Sequence, residues 1–170
     1  MKIALVILIM MLSFLFGNSV ADKYKNQYQF SVYLKNFATY FKSNLIMFKT
    51  DVVKIIDDYL MVEKNQQVKF NDIFIKENYI YKINETAINN YIIEKEDAFT
   101  IYTFLSFLGK NHYEFEDEKV NSFLNFLEIK QKDYLKNIKE KGVLSQKIIL
   151  SIGLIISILI WWIYGRFYFI

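Results

Sequence analysis

The sequence predicts an all-α fold, a helical bundle domain flanked by N- and C-terminal transmembrane helices. Three observations lead there. Two apolar segments, Ile3 to about Ala21 and Ile148 to about Tyr164, bracket a middle that carries nearly all the charge. Apolar residues in that middle recur at three- and four-residue spacing, the period of an amphipathic helix. Proline is absent and there are five glycines, too few turn residues for a β-sandwich or barrel. The organisation is then residues 1–21 as a first span, 22–147 as a soluble helical domain, and 148–170 as a second span with an aromatic end.

Each element follows in order. The first apolar segment has two readings. Lys2, an apolar run and then Ser19-Val20-Ala21 also describe a secretory signal with a small-x-small cleavage site. Cleavage after Ala21 leaves an outward-facing domain tethered by its C-terminal helix; retention gives a two-span hairpin. Next, Phe30, Tyr33, Leu34, Phe37, Tyr40, Phe41, Leu45, Phe48, Val52, Ile55, Ile56 and Leu60 mark one long amphipathic helix, or two joined by a kink. Glu63 to Lys69 is polar and reads as a loop. Phe70, Ile73, Phe74 and Ile75 form a shorter unit. From Glu77 to Ile92 both helix and strand fit; the Asn84-Glu85-Thr86 sequon there is short enough to arise by chance.

From Glu94 the helical pattern returns, with Ala98, Ile101, Phe104, Leu105 and Leu108, and stops at Gly109, a fitting C-terminal cap. The next helix carries Val120, Phe123, Leu124, Leu127, Tyr134, Leu135 and Ile138. It ends in a lysine-rich turn followed by Gly142, where a bend can carry it on into the membrane. The two helices make an αα-hairpin on which the long first helix packs. The aromatic stripe reads as core, since each buried ring contributes roughly 1.5–3 kcal/mol. The second apolar segment has no charge between Lys147 and Arg166. It approaches the ~20 residues that cross a ~30 Å hydrocarbon core, where only a helix satisfies its own backbone. Trp161, Trp162, Tyr164 and Tyr168 at its end suit an interfacial aromatic belt, with Arg166 as a headgroup anchor.

Lysines set the expected sidedness. Lys23, Lys25 and Lys35 follow the first span; Lys130, Lys132, Lys136, Lys139, Lys141 and Lys147 precede the second. Only Lys2 and Arg166 lie on the far sides, a bias that puts the middle in the cytoplasm and both termini outside.

Composition excludes several functions. Net charge is +3 and the middle is almost neutral, with no arginine, so there is no concentrated basic face for nucleic acid. Without cysteine there are no disulfides, thiolate metal sites or Cys nucleophiles. The single histidine, His112, lacks the partners of a zinc site or a catalytic triad and reads as a polar residue in the helix–helix connection. No cofactor motif is present. A membrane enzyme using Glu and Asp as acid and base would need a paired-carboxylate motif, and none has recognisable spacing.

With those residues in place, the chain resembles stage III sporulation protein AB of endospore-forming bacteria almost end to end. The first span carries the family's glycine, alanine and tyrosine as Gly17, Ala21 and Tyr24. Ile46, Met47 and Phe48 match its apolar-Met-aromatic step. Phe104, Leu108, Gly109, Val120, Leu127 and Glu128 fall in the family register without a gap, and Gly153-Leu154 in that of the final span. There are departures. His112 stands where the family usually has Asp, Glu116 where it has Gln, Ile149 where it has glycine, and a Pro-Leu step is missing.

The resemblance implies a non-catalytic membrane platform within a channel or secretion-like assembly between mother cell and forespore. Its soluble part would look like the cytoplasmic helical domain of type II secretion platform proteins. The implied partners are a cytoplasmic secretion-type ATPase and other membrane proteins of the assembly. Candidate contact residues come from charge: Glu94, Glu96 and Asp97 open one helix of the hairpin, and Glu114, Glu116, Asp117 and Glu118 open the next. The second group, near the Gly109 corner, is the expected contact with a basic surface on the ATPase, where such charges steer association. The same residues also suit the helix dipole and solubility.

Overall fold

The computed structural model describes residues 2–48, 50–62, 70–78, 80–110 and 113–166. The expected loop over Glu63 to Lys69, His112 and Tyr168 lie outside them. The element order is α1 (Lys2–Phe48), α2 (Val52–Val62), α3 (Phe70–Ile73), β1 (Phe74–Glu77), β2 (Ile80–Ile83), α4 (Glu85–Tyr91), α5 (Lys95–Phe107), α6 (Tyr113–Asn137), a π-helical turn (Ile138–Gly142) and α7 (Val143–Arg166). The fold is all-α with one short hairpin. It forms two compact units, Asn26–Asp133 and a terminal unit of Met1–Lys25 with Tyr134–Ile170.

In the Asn26–Asp133 unit, the inward face of α1 sets the core. Phe30, Leu34, Phe37 and Phe41 recur at helical spacing and are fully buried. The long amphipathic pattern is two helices, and Asp51 is the reason. Its carboxylate accepts the Val53 N–H at 2.8 Å and its carbonyl accepts the Ile55 N–H at 3.0 Å, the geometry of an N-cap. Helix α2 then buries Ile55, Ile56 and Tyr59. Phe37 lies at the centre of the aromatic cluster, 5.1 Å from Tyr59, 5.3 Å from Phe74 and 6.0 Å from Phe70 between ring centroids. Phe30 stacks on Tyr91 at 4.7 Å.

The segment that admitted either helix or strand is both. Strands β1 and β2 pair antiparallel, Phe74 opposite Ile83 and Lys76 opposite Tyr81. The turn holds Asn78 at φ 48°, a left-handed conformation that Asn tolerates better than most residues. Asn84 then caps α4, accepting the Ala87 N–H at 3.3 Å while its amide donates to the Asp72 carbonyl at 3.1 Å. The sequon asparagine therefore has a structural role.

Helices α5 and α6 form the expected antiparallel hairpin. Its rungs are the Asp97–Lys130 ion pair at 2.7 Å, the Phe104–Phe123 stack at 3.7 Å, and the Gly109 N–H donating to Glu116 at 2.7 Å.

In the terminal unit, the start of α1 and α7 pack through small residues. Gly17 lies against Gln146, Gly142 against Tyr24 and Ala21, and Gly153 against Ser13, where a Cβ would overlap the serine hydroxyl. Asn18 accepts a hydrogen bond from the Gln146 amide at 2.6 Å. Large apolar side chains point away; Phe16 is 65% exposed and Ile158 64%. Both helices are long and apolar enough to cross a membrane. The chain does continue from α6 into α7, through the π-helical turn ending at Gly142. Tyr134 and Gly142 are both buried. In an uninterrupted α-helix, eight residues would rotate them about 80° apart. The wide turn absorbs an extra residue and restores the phase.

Candidate docking surface

The Gly109 corner is built from three constraints on one residue. Its φ of +78° closes α5 in the left-handed region, which glycine adopts without a steric penalty. Val52, at the start of α2, approaches to 3.0 Å of where a Cβ would stand. Its N–H is taken by the buried Glu116 carboxylate.

Beside this corner lies an open cleft of about 350 Å³. Its walls come from the start of α2 (Val52, Ile56), the hairpin (Phe74, Ile80) and the end of α5 (Leu105, Leu108). Asp51 and Lys110, both exposed, put one charge of each sign on its edge. An apolar floor with charged edges suits an apolar side chain presented by a protein partner.

A second polar device braces the hairpin against α2. Lys76 Nζ lies 2.8 and 2.6 Å from the two Asp57 oxygens, and the Tyr81 hydroxyl donates to the same carboxylate. The strand register makes this possible, because Lys76 and Tyr81 are directly opposed. The Lys76 hydrogen bond, then that of Tyr81, holds the Asp57 carboxyl below its ordinary range. Burial, then the bond to Asp57, pushes the Tyr81 phenol up.

The acidic candidates divide by environment. Asp97 is buried and paired with Lys130, whose ammonium that hydrogen bond holds above its ordinary pKa. Glu94, half-buried, accepts a hydrogen bond from Gln27. Glu116 holds the corner, and Asp117 accepts from Asn121 at 3.3 Å with Lys42 at 3.6 Å. Glu96 and Glu118 are exposed. The Glu114 side chain lies outside the described residues. The two acidic groups do not converge, since α5 and α6 run antiparallel and their starts lie at opposite ends of the hairpin. Among the described residues no His, Cys, Asp or Glu group is placed to hold a metal ion. Trp161 and Trp162 are exposed at the end of α7, while the Tyr164 and Arg166 side chains lie outside the described residues.

Charge alone missed the Val52–Gly109 approach and the Asp57 brace. Asp51 immediately before an apolar helix is a capping signal, and Asn78 between two short apolar runs is a hairpin signal. Together these two signals outline the cleft walls. In comparisons with known proteins, no protein-family model, no curated protein and no solved structure matches the chain.

Proposed function

We propose that this chain is a non-catalytic membrane platform. Two spans fix it in the bilayer, and its helical domain faces the cytoplasm. In keeping with the resemblance to stage III sporulation protein AB, it would serve a channel or secretion-like assembly between mother cell and forespore. There it would dock the secretion-type ATPase. The observation that carries this reading is the terminal unit, two membrane-length apolar helices packed on one another.

Further features support it. Some of the residues that carry the resemblance have packing reasons: Gly17, Ala21 and Gly153 lie in the helix pair, and Phe104, Gly109, Val120 and Leu127 in the hairpin, whereas Phe48, Glu128 and Leu154 are exposed. Ala21, the last residue of the small-x-small pattern, is buried within α1 against Gly142. The cleft, with exposed Glu118 on the first turns of the neighbouring α6, offers the motor an apolar anchor and a steering charge.

Topology tests this reading. The chain has no native cysteine, so single cysteines report without background. Asn90→Cys, on an exposed position of α4, should resist a membrane-impermeant maleimide in intact cells, and Tyr168→Cys should label. Labelling at position 90 in intact cells would put the domain outside, beyond reach of a cytoplasmic ATPase, and would favour a tethered extracytoplasmic interaction domain instead.

A further inference from the structure

The helix pair brings together lysines that are far apart in sequence. Ala21 and Tyr24 meet Gly142, and Gly17 meets Gln146, so the two helices run antiparallel and the turn after Ala21 lies level with the π-helical turn. Lys23 and Lys25 therefore come to the same level as Lys139 and Lys141, with Lys147 at the edge of the apolar stretch. All five are exposed.

The two acids at this level are already engaged. Asp22 pairs with Lys25 at 3.2 Å, and Glu140 lies 4.0 Å from Lys136. Lys23, Lys139, Lys141 and Lys147 have no ion-pair partner among the described residues. At about 1.5 Å of rise per residue, Lys139 to Lys147 cover about 12 Å next to the apolar stretch. That is close to the depth of a headgroup layer plus one Debye length at physiological salt.

We propose that these lysines form a collar that binds anionic phospholipid headgroups in the leaflet where the two apolar helices emerge on the domain side. The collar rests on the membrane reading above. Its complement is lipid phosphate with net negative charge, and a juxtamembrane lysine near such a surface contributes about 1 kcal/mol. The π-helical turn contributes by carrying Lys139 and Lys141 outward while Gly142 stays packed against Tyr24.

The test uses the full chain in non-ionic detergent, titrated with dioleoylphosphatidylglycerol or dioleoylphosphatidylcholine and read by native mass spectrometry. The wild type should bind the anionic lipid at least about tenfold more tightly, and excess inorganic phosphate should not displace it. The triple variant Lys139→Gln, Lys141→Gln, Lys147→Gln should lose most of that preference. A control triple at exposed domain lysines, Lys54→Gln, Lys82→Gln, Lys95→Gln, should stay within about twofold of wild type. Equal binding of the two lipids, displacement by phosphate, or equal loss in both triples would overturn the collar. Alkaline carbonate treatment of native membranes separates the two ideas. A chain that is extracted sinks the membrane reading and the collar together, whereas a chain that stays but shows no lipid preference sinks the collar alone.

Discussion

The Asn26–Asp133 unit and the terminal unit follow opposite packing rules. The first buries its largest side chains, with Phe30, Phe37 and Phe41 fully inside. Apart from Tyr134, the second buries its smallest, with glycine, alanine and serine at the helix contact and Phe16 and Ile158 outward. Water drives the first arrangement, because apolar area removed from solvent stabilises the fold. In hydrocarbon that drive between helices vanishes, and close backbone approach with interhelical hydrogen bonds takes over. Their buried polar groups differ in the same sense. The domain buries the Asp97 carboxylate against Lys130, whereas the helix pair, among the described residues, joins the neutral, half-buried Asn18 and Gln146 amides and buries the Ser157 hydroxyl, which donates to the Gly153 carbonyl at 2.8 Å. With the terminal unit in a bilayer, as proposed above, one chain carries two solutions to two solvents.

The largest expected effect breaks the comparison if it fails. Phe37→Ala removes the ring at the centre of the aromatic cluster and should lower the unfolding free energy by about 3–5 kcal/mol. Leu15→Ala, on the outward face of the first apolar helix, should cost less than about 0.5 kcal/mol in detergent or lipid. Denaturant unfolding of the detergent-solubilised chain measures both. A Leu15→Ala loss as large as that of Phe37→Ala would mean that the outward face is covered by protein, and the contrast between the units would collapse.

The small-residue contact sets the next effect. Paired cysteines at Asn18→Cys and Gln146→Cys replace two hydrogen-bonded side chains, so mild oxidation should join the helices in high yield. Gly153→Leu in that background drives a branched side chain into Ser13. Overpacking of this kind costs about 1–3 kcal/mol and should lower the cross-link yield severalfold. Ile155→Leu, at an exposed position of the same helix, should leave the yield unchanged. Equal yields in all three would show that the glycine does not set the approach of the helices.

Much of this was legible in sequence, for identifiable reasons. The two long apolar helices rest on uninterrupted apolar runs, and the α1 face and the αα-hairpin on periodicity; both signals are local. Gly109 as a helix stop is local too. The β1–β2 hairpin was not decided, because four-residue strands leave no periodic trace and Asn78 alone marks the turn. The environments of the acidic candidates were invisible for a different reason. Glu116 and Glu118 are two residues apart, yet one holds the Gly109 N–H and the other faces solvent. Only the helical phase relative to a distant partner separates them. A charge reversal meant to test docking therefore belongs at Glu118, since reversal at Glu116 would release the corner itself.

The smallest effect concerns pH, and it separates the units by their chemistry. Asp57 is held below its ordinary pKa by Lys76 and Tyr81. A depressed folded-state pKa means that the unfolded chain binds the proton more readily. The brace is therefore fully present above the ordinary Asp value of about 3.9 and is lost as pH falls through the folded value. The side chains of Lys76 and Asp57 are 44% and 31% exposed, so solvent screening limits the contribution to at most about 1 kcal/mol. The stability difference between wild type and Asp57→Asn should be constant from pH 7 to about pH 5 and shrink below about pH 4. Lys130 runs the other way: its raised pKa gives stability present below about pH 10.4 that disappears as pH rises through the folded value. The Asn18–Gln146 contact contains no titratable group, so alanine at Asn18 should cost the same at pH 4 and pH 7. A wild-type to Asp57→Asn difference that grows on acidification would reverse the sign and remove Asp57 as the anchor of the hairpin.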